Sequence, residues 1–342
     1  MPLGLFSSNS SKDGPKPQPL TSEKEERTSS SKRDKSGSAS GLGIDIKDSK
    51  GSTFKLGKKS YTVEKKLAEG GFALVYLVCD KHSRNYALKR QLIKDDARQV
   101  EACRTESQIV KNLNGHKNIV AYIDHQLTVN KAGVYDYMLL TVYYPTNVLQ
   151  LMNSRLLSNR CLSCQEILDI FCDRFEGGKC ANRPTNSATT KVLSKDTYTQ
   201  AYMEEEIQRY TTLSYRAPEM IDVFSGVPID TKSDIWALGI LLYKLCYFSL
   251  PFGESALAIQ NGTFTFPDTP NIPDELKAII NLLLTSSAKH RPNIFQTAYL
   301  VFAAANRKCP VYNIEKGPRI ELAEAVQILR LRDNGRQLCQ TV

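Results

Sequence analysis

The apolar pattern of this chain changes its period once, near Pro145. Before it, apolar residues alternate in short runs separated by polar and glycine-containing turns. After it, from Val148 onward, they recur mainly at helical spacing. Residues 61–67, 74–79 and 86–89 read as strands joined by a small-residue turn at 68–73 and a polar turn at 80–85. Such spacing predicts an antiparallel sheet. Residues 95–114 read as one long helix with Val100, Cys103, Ile109, Val110 and Leu113 on its apolar side and Gly115 as its stop. Residues 119–124 and 137–143 read as two more strands. Strands first and helices later predict an α+β protein of two lobes, an antiparallel-sheet N-lobe and a helical C-lobe.

Composition sets the boundaries. Residues 1–58 are rich in Ser, Lys, Pro and Gly and poor in aromatics, so they cannot bury enough apolar area to offset ordering and are expected to be disordered. A bilobal domain is expected over 59–313, its N-lobe at about 59–145 and its C-lobe at about 146–313. Residues 314–342 read as a tail. Within it Ile320, Leu322, Ala323, Val326, Leu329 and Leu331 suggest a short amphipathic helix over 319–332, a packed or frayed tail in preference to a partner-binding helix.

No apolar run reaches the ~20 residues that span a bilayer. Pro2 excludes the glycine that myristoylation needs, and the first residues are too few for a signal peptide. A cytoplasmic protein with reduced thiols is the expectation for its 9 cysteines. Cys161 and Cys164 form a close pair, with Cys172 and Cys180 beyond, but no second close pair and no neighbouring histidine complete a zinc site. Hence no metal ligands are assigned. The net charge of +9 lies partly in the N-terminal tail, and no groove-reading motif accompanies it, so no specific nucleic-acid partner is expected.

Small residues punctuate the first turn: Ala68, Gly70, Gly71, Phe72 and Ala73, followed by Val75. A hairpin tip of that kind lets backbone amides approach a phosphate. Lys89 lies inside an apolar strand run, and alternation puts Ala87 on its face. A lysine so placed needs an anion to hold it charged and aimed; Glu106 on the following helix is the candidate. Downstream, Thr212, Tyr215, Arg216, Ala217, Pro218 and Glu219 form a second motif, and Asp234, Trp236 and Gly239 open a strongly apolar helix. Glu219 calls for a buried cation, and Arg291 in His290-Arg291-Pro292 can bind it through two parallel hydrogen bonds.

Together these motifs resemble a serine/threonine protein kinase over about 61–313. The resemblance is closest to the Numb-associated kinase family, in the stretches around Ala68–Ala73, 115–120, 210–220, 235–248 and 251–255. It implies ATP binding by Ala68, Gly70, Gly71, Phe72, Ala73, Val75, Ala87, Lys89, Glu106, Leu140, Thr141 and Tyr143, with Mg²⁺ expected for the family. It implies a serine/threonine-marking role for Thr212 within an activation segment that includes Tyr215, and a structural pair of Glu219 with Arg291. It implies that Asp234 braces the backbone of a catalytic loop. Phosphorylation of clathrin-adaptor subunits in endocytosis, at the periphery of clathrin-coated membranes, is implied as well.

One part of that pattern is absent. No His-Arg-Asp, no Asp-Phe-Gly and no catalytic-loop asparagine occur in the sequence, so no catalytic residue can be assigned. Residues 167–173 resemble the start of a long C-lobe helix. Ser187 and its successors resemble the residues just after Asp-Phe-Gly, with Pro184-Thr185-Asn186 in the place of that triplet. Asp173, Glu176 and Asp196 are the acids nearby, none with an orienting motif. The expectation is weak ATP binding, lost Mg²⁺ ligands, impaired or absent catalysis, uncovered apolar C-lobe surface and a mobile 174–209 segment. A pseudokinase scaffold for adaptor proteins, and an active kinase represented by an incomplete gene model or splice form, stay open as alternatives.

Overall fold

The computed structural model describes residues 50–70, 73–94, 96–181 and 197–340. The expected α+β architecture holds. Six strands form one sheet: β1 (Thr53–Leu56), β2 (Lys59–Glu69), β3 (Leu74–Cys79), β4 (Asn85–Ile93), β5 (Tyr122–Val129) and β6 (Tyr135–Val142). Their order is β1-β2-β3-β4-β6-β5, and each neighbouring pair is antiparallel. The sheet curls, so that the amide of Gly57 donates 3.0 Å to Gln126 Oε1 across its two edges.

The first strand corrects the N-terminal boundary. Residues 50–58, expected within a disordered tail, hold β1 and its turn, because Phe54 and Leu56 alternate inward and are buried against Tyr61, Val63 and Tyr76. Two apolar residues at period two suffice once a sheet is there to receive them. Residues 1–49 lie outside the described residues. The fifth strand begins at Tyr122 rather than 119, because the 116–119 turn closes through Ile119 N to His116 O, 3.1 Å.

The N-lobe helix α1 (Ala97–Asn112) starts where the Asp96 side chain accepts the Gln99 amide. That bond satisfies one orphan donor of the first turn. Its buried residues are Val100, Cys103 and Ser107; Ile109, expected on the apolar side, is 41 % exposed. Helices then follow in order: α2 (Val148–Leu157), α3 (Cys164–Ala181), α4 (Thr197–Tyr210), α5 (Pro218–Ile221), α6 (Thr231–Tyr247), α7 (Ala256–Asn261), α8 (Asp274–Leu283), α9 (Ile294–Ala304) and α10 (Leu322–Gln340). Capping boxes at Asn147/Gln150 and Asn293/Gln296 fix the starts of α2 and α9.

The C-lobe core is built around α6, which is buried on nearly all sides. Trp236 is fully buried and stacks on Phe252, ring centroids 5.3 Å apart. Gly239 lets α8 approach, since a Cβ there would come within 2.8 Å of Leu283 and Leu284 side-chain atoms. Of the 174–209 segment, the start belongs to α3 and the end to α4, with 182–196 outside the described residues. Buried Ile167, Leu168, Phe171, Cys172 and Phe175 follow helical spacing and carry α3 past Gly177 and Gly178. One expectation about the rest of this lobe is corrected. The tail after 313 belongs to the domain: α10 is longer than the short helix expected, buries Ala325 and Leu329, and packs on α8. Arg332 lies over the Phe264 ring, 4.5 Å from its centroid, tying α10 to the aromatic cluster of Tyr243, Phe252 and Phe266.

Candidate functional site

The sheet register places the upstream candidates. Lys89 lies between Val75 on β3 and Leu139 on β6, and Ala87 lies between Leu77 and Thr141. Alternation therefore puts Val75, Ala87, Lys89 and Thr141 on one face. Leu140 is corrected out of this set. It pairs with Leu88, both wholly buried in the core on the opposite face. Leu139 and Leu77 occupy the face that Leu140 was expected to serve. Tyr143 follows the end of β6 and is half-buried. At the hairpin tip the Gly70 amide donates 2.8 Å to Ala73 O, and Ala68 pairs with Val75. Gly71 and Phe72 lie outside the described residues. A Cβ on Gly70 would only reach ordinary contact, 3.7 Å from Ala73 O, so its backbone is not one that glycine alone could adopt.

Lys89 finds the anion anticipated for it. Its Nζ donates to both Glu106 carboxylate oxygens, at 2.7 and 2.9 Å. Both side chains are about a third exposed, so the pair orients the ammonium more than it stabilises the fold; such pairs contribute about 1 kcal/mol or less. Behind Glu106 stands a relay that the sequence alone did not reveal. Tyr137 is fully buried, its hydroxyl lies 3.4 Å from Glu106 Oε2, and Ser107 Oγ meets the same hydroxyl at 2.9 Å. Burial pushes the Tyr137 hydroxyl above the usual phenol range, so it stays a donor. Cys103 donates to Gln91 Oε1, and burial raises its thiol to about 11, leaving it inert at neutral pH.

Downstream, the structural pair is present in full. Arg291 Nη1 donates 2.8 Å to Glu219 Oε1, and Nη2 donates 3.1 Å to Oε2, with both side chains buried. Ser233 Oγ donates to Glu219 Oε1 at 3.0 Å, and Arg291 also donates to the carbonyls of Thr285, Lys232 and Ser286. Every hydrogen-bonding direction of the guanidinium fork is occupied, which is what a buried charge requires. Thr212 is exposed and precedes the short 213–215 turn, while Arg216 ties that turn to Thr211 through Oγ1 at 2.8 Å and O at 2.9 Å.

Asp234 does not find the partner its resemblance implies. Among the described residues no hydrogen bond reaches its carboxylate. It lines, with Tyr215, a cavity of about 1080 Å³ between α1, α3 and α6, whose other walls include Leu113, Ile119, Phe175, Leu238 and Leu241. By surface area Asp234 is exposed, and the walls of that cavity crowd its carboxylate only in part. Burial pushes its pKa up, and the Arg174 guanidinium only partly offsets this. A carboxyl whose folded pKa is raised holds its proton more tightly in the folded state. Stability is then lost as pH rises from the unfolded value, about 3.9, through the raised folded value. Asp234→Asn is accordingly expected to stabilise the fold at pH 7 and to lose that advantage in acid; urea midpoints of the two proteins across pH 3–8 check it.

The acids near the missing motif are held elsewhere. Asn118 Nδ2 donates to the Asp173 backbone carbonyl at 3.0 Å and to its Oδ1 at 3.1 Å, and Lys117 pairs with Glu176 at 2.6 Å. They tie α3 to the turn after α1. Asp196 lies outside the described residues, as does the 184–187 stretch. Among the described residues no group of three or more His, Cys, Asp or Glu is placed to hold a metal ion, and no helix is long and apolar enough to cross a membrane.

Comparison with known proteins places the arrangement. The protein kinase domain model matches residues 193–302, the part downstream of the missing motif. The serine/threonine-protein kinase sel-5 of Caenorhabditis elegans is 45% identical over 287 residues, covering 76% of this chain and 27% of that protein. Actin-regulating kinase 1 of Saccharomyces cerevisiae is 32% identical over 301 residues, covering 78% of this chain and 47% of its own length. Serine/threonine-protein kinase ppk30 of Schizosaccharomyces pombe is 33% identical over 277 residues, covering 72% and 29%. The chain thus spans between about a quarter and a half of the length of these relatives. The chain carries a protein kinase domain, homologous to those of serine/threonine protein kinases.

Proposed function

We propose that this chain binds ATP through the face of β3, β4 and β6, does not transfer phosphate, and works as a binding module of the Numb-associated type for clathrin-adaptor proteins in endocytosis. The observation that carries the reading is a contrast. The Lys89–Glu106 pair is formed at 2.7 Å, while the sequence holds neither His-Arg-Asp nor Asp-Phe-Gly. The first is what a phosphate-reaching lysine needs. The second removes the groups that orient the acceptor hydroxyl and hold magnesium.

The donor set supports the same division. The residues present support nucleotide binding: a small-residue turn beginning at Gly70, an apolar face of Val75 and Ala87, and an aimed ammonium at Lys89. Magnesium needs hard oxygen ligands near the phosphates. Asp173 and Glu176 are already engaged by Asn118 and Lys117, so they do not supply them. The adaptor and endocytic part of the reading, and a location at the periphery of clathrin-coated membranes, rest on the family resemblance. The kinase relatives support the family and no more.

The test is ATP binding by thermal shift and calorimetry, without and with Mg²⁺, on the full chain and on Lys89→Ala. Losing a charge-assisted contact should weaken ATP binding by roughly 10–100-fold while leaving the melting point nearly unchanged. ATP binding that survives Lys89→Ala would sink the nucleotide part of the reading. Capture of a purified adaptor subunit without its phosphorylation supports the binding-module part, and phosphate transfer that Lys89→Ala abolishes would overturn it. A second reading is favoured by one observation. The sequence resembles the family on both sides of residues 173–187, with the intervening motifs absent. On that reading a longer transcript encodes an active kinase, and sequencing transcripts across these codons decides it.

A further inference from the structure

The edge of the N-lobe sheet carries a charge arrangement that the nucleotide face does not use. Residues 50–62 contain four lysines, Lys50, Lys55, Lys58 and Lys59, and no aspartate or glutamate. All four side chains are exposed. None makes an ion pair with a described residue. The fold decides how they are displayed. Phe54 and Leu56 turn inward, so Thr53 and Lys55 must turn outward. The register sets Thr53 opposite Thr62 and Lys55 opposite Ser60. The outer face of this hairpin therefore sets hydroxyls around Lys55, with Glu64 farther along β2. Lys58 and Lys59 stand at its tip beside Gly57, whose φ of +56° makes the turn tight. Lys50 stands at its other end, next to Gly51.

Lysine on an edge strand guards against strand-to-strand association. One lysine on β1 would serve that purpose; Lys58 and Lys59 lie in and just after the turn, where no partner strand could add. We propose that the outer face of the β1–β2 hairpin docks on a bilayer surface carrying anionic phospholipid headgroups. The charge complementarity is carried by the four lysines of residues 50–62; the acids of the hairpin, Glu64 and Glu69, lie farther along β2, and Glu69 is paired with Lys66. Hydroxyls of Thr53, Ser60 and Thr62 suit phosphate oxygens. Nucleic acid fits less well. The hairpin offers no exposed aromatic on which bases could stack, since Phe54 and Tyr61 are buried, and no helix to enter a groove. The docking does not depend on nucleotide binding or on the presence of a catalytic loop.

The experiment is vesicle co-sedimentation of the full chain with phosphatidylcholine alone and with phosphatidylcholine containing phosphatidylserine, at low and at physiological salt. Each lysine at an anionic surface is worth roughly fivefold in affinity, so replacing all four with glutamine should weaken binding to the anionic vesicles by roughly 100-fold or more. Replacing all four with arginine should preserve it, because the attraction needs charge and not stereochemistry. The substitutions are on exposed side chains, and an unchanged melting point confirms that each variant is folded. Equal binding to neutral vesicles would overturn the proposal. So would anionic-vesicle binding that the glutamine variant retains, which would place the contact elsewhere, in residues 1–49 for example. Tighter binding to a single- or double-stranded oligonucleotide than to the anionic vesicles at the same salt would overturn it in favour of a nucleic-acid face.

Discussion

Arg291→Ala is expected to cost the fold about 3–5 kcal/mol, because it leaves the Glu219 carboxylate buried without its cation. Glu219 keeps only the Ser233 hydroxyl, and the carbonyls of Thr285, Lys232 and Ser286 lose their donor at the same time. The guanidinium also lies over the Trp236 ring, 5.2 Å from its centroid, so packing is lost with charge. Against a total stability of about 5–15 kcal/mol, this is a large fraction. For a domain of this size it corresponds to a fall in melting temperature of roughly 6–20 °C. Chemical denaturation and scanning calorimetry read it. A paired replacement of Glu219 and Arg291 by leucine and methionine should lose less than the two single changes summed, since neither charge is then stranded. A single Arg291→Ala change within about 0.5 kcal/mol of the parent would show that the pair is not closed in solution.

Phosphate transfer is where the largest kinetic effect is expected. A positioned general base contributes about 10²–10⁴-fold, and electrostatic stabilisation of the transferring group adds to that. With both absent, transfer from ATP to a protein hydroxyl should fall at least roughly 10⁴-fold below an ordinary kinase rate of about 1–100 s⁻¹. Single-turnover assays with labelled ATP and excess enzyme have the sensitivity to see this. Turnover within about tenfold of an ordinary kinase would mean that other acids of the chain replace the missing groups. Asp173 and Glu176 would then have to leave Asn118 and Lys117. Asn118→Ala is the variant that would expose such a release.

Much of the N-lobe site was readable from local pattern. Lys89 in an apolar strand and Glu106 on the next helix could be paired from the sequence alone, because an ammonium in that setting needs a carboxylate. The bond between Glu219 and Arg291, 72 residues apart, was readable only through a family resemblance, since nothing local connects them. Leu140 shows the limit of pattern. Every residue from Tyr137 to Leu140 is apolar or buried, so alternation along β6 is hidden, and only its pairing with Leu88 reveals which face it takes. β1 was missed for a similar reason: two inward residues in a lysine-rich stretch look like linker until β2 gives them a surface. The end of the domain was misplaced because α10 has a weak apolar stripe, and its burial of Ala325 and Leu329 depends on α8.

By itself, the sequence determined the class of fold, the lysine and its carboxylate, and the absence of the catalytic motifs, because periodicity, charge and residue identity are properties of neighbours along the chain. Tertiary structure decided the rest. It set which face each strand residue serves, closed Arg291 onto Glu219, and left Asp234 facing a cavity of about 1080 Å³ with its carboxyl pushed up by burial. It also displayed the hairpin lysines on the exposed β1 end of the sheet. Those outcomes depend on strand register, helix packing and desolvation, which arise only when distant segments meet.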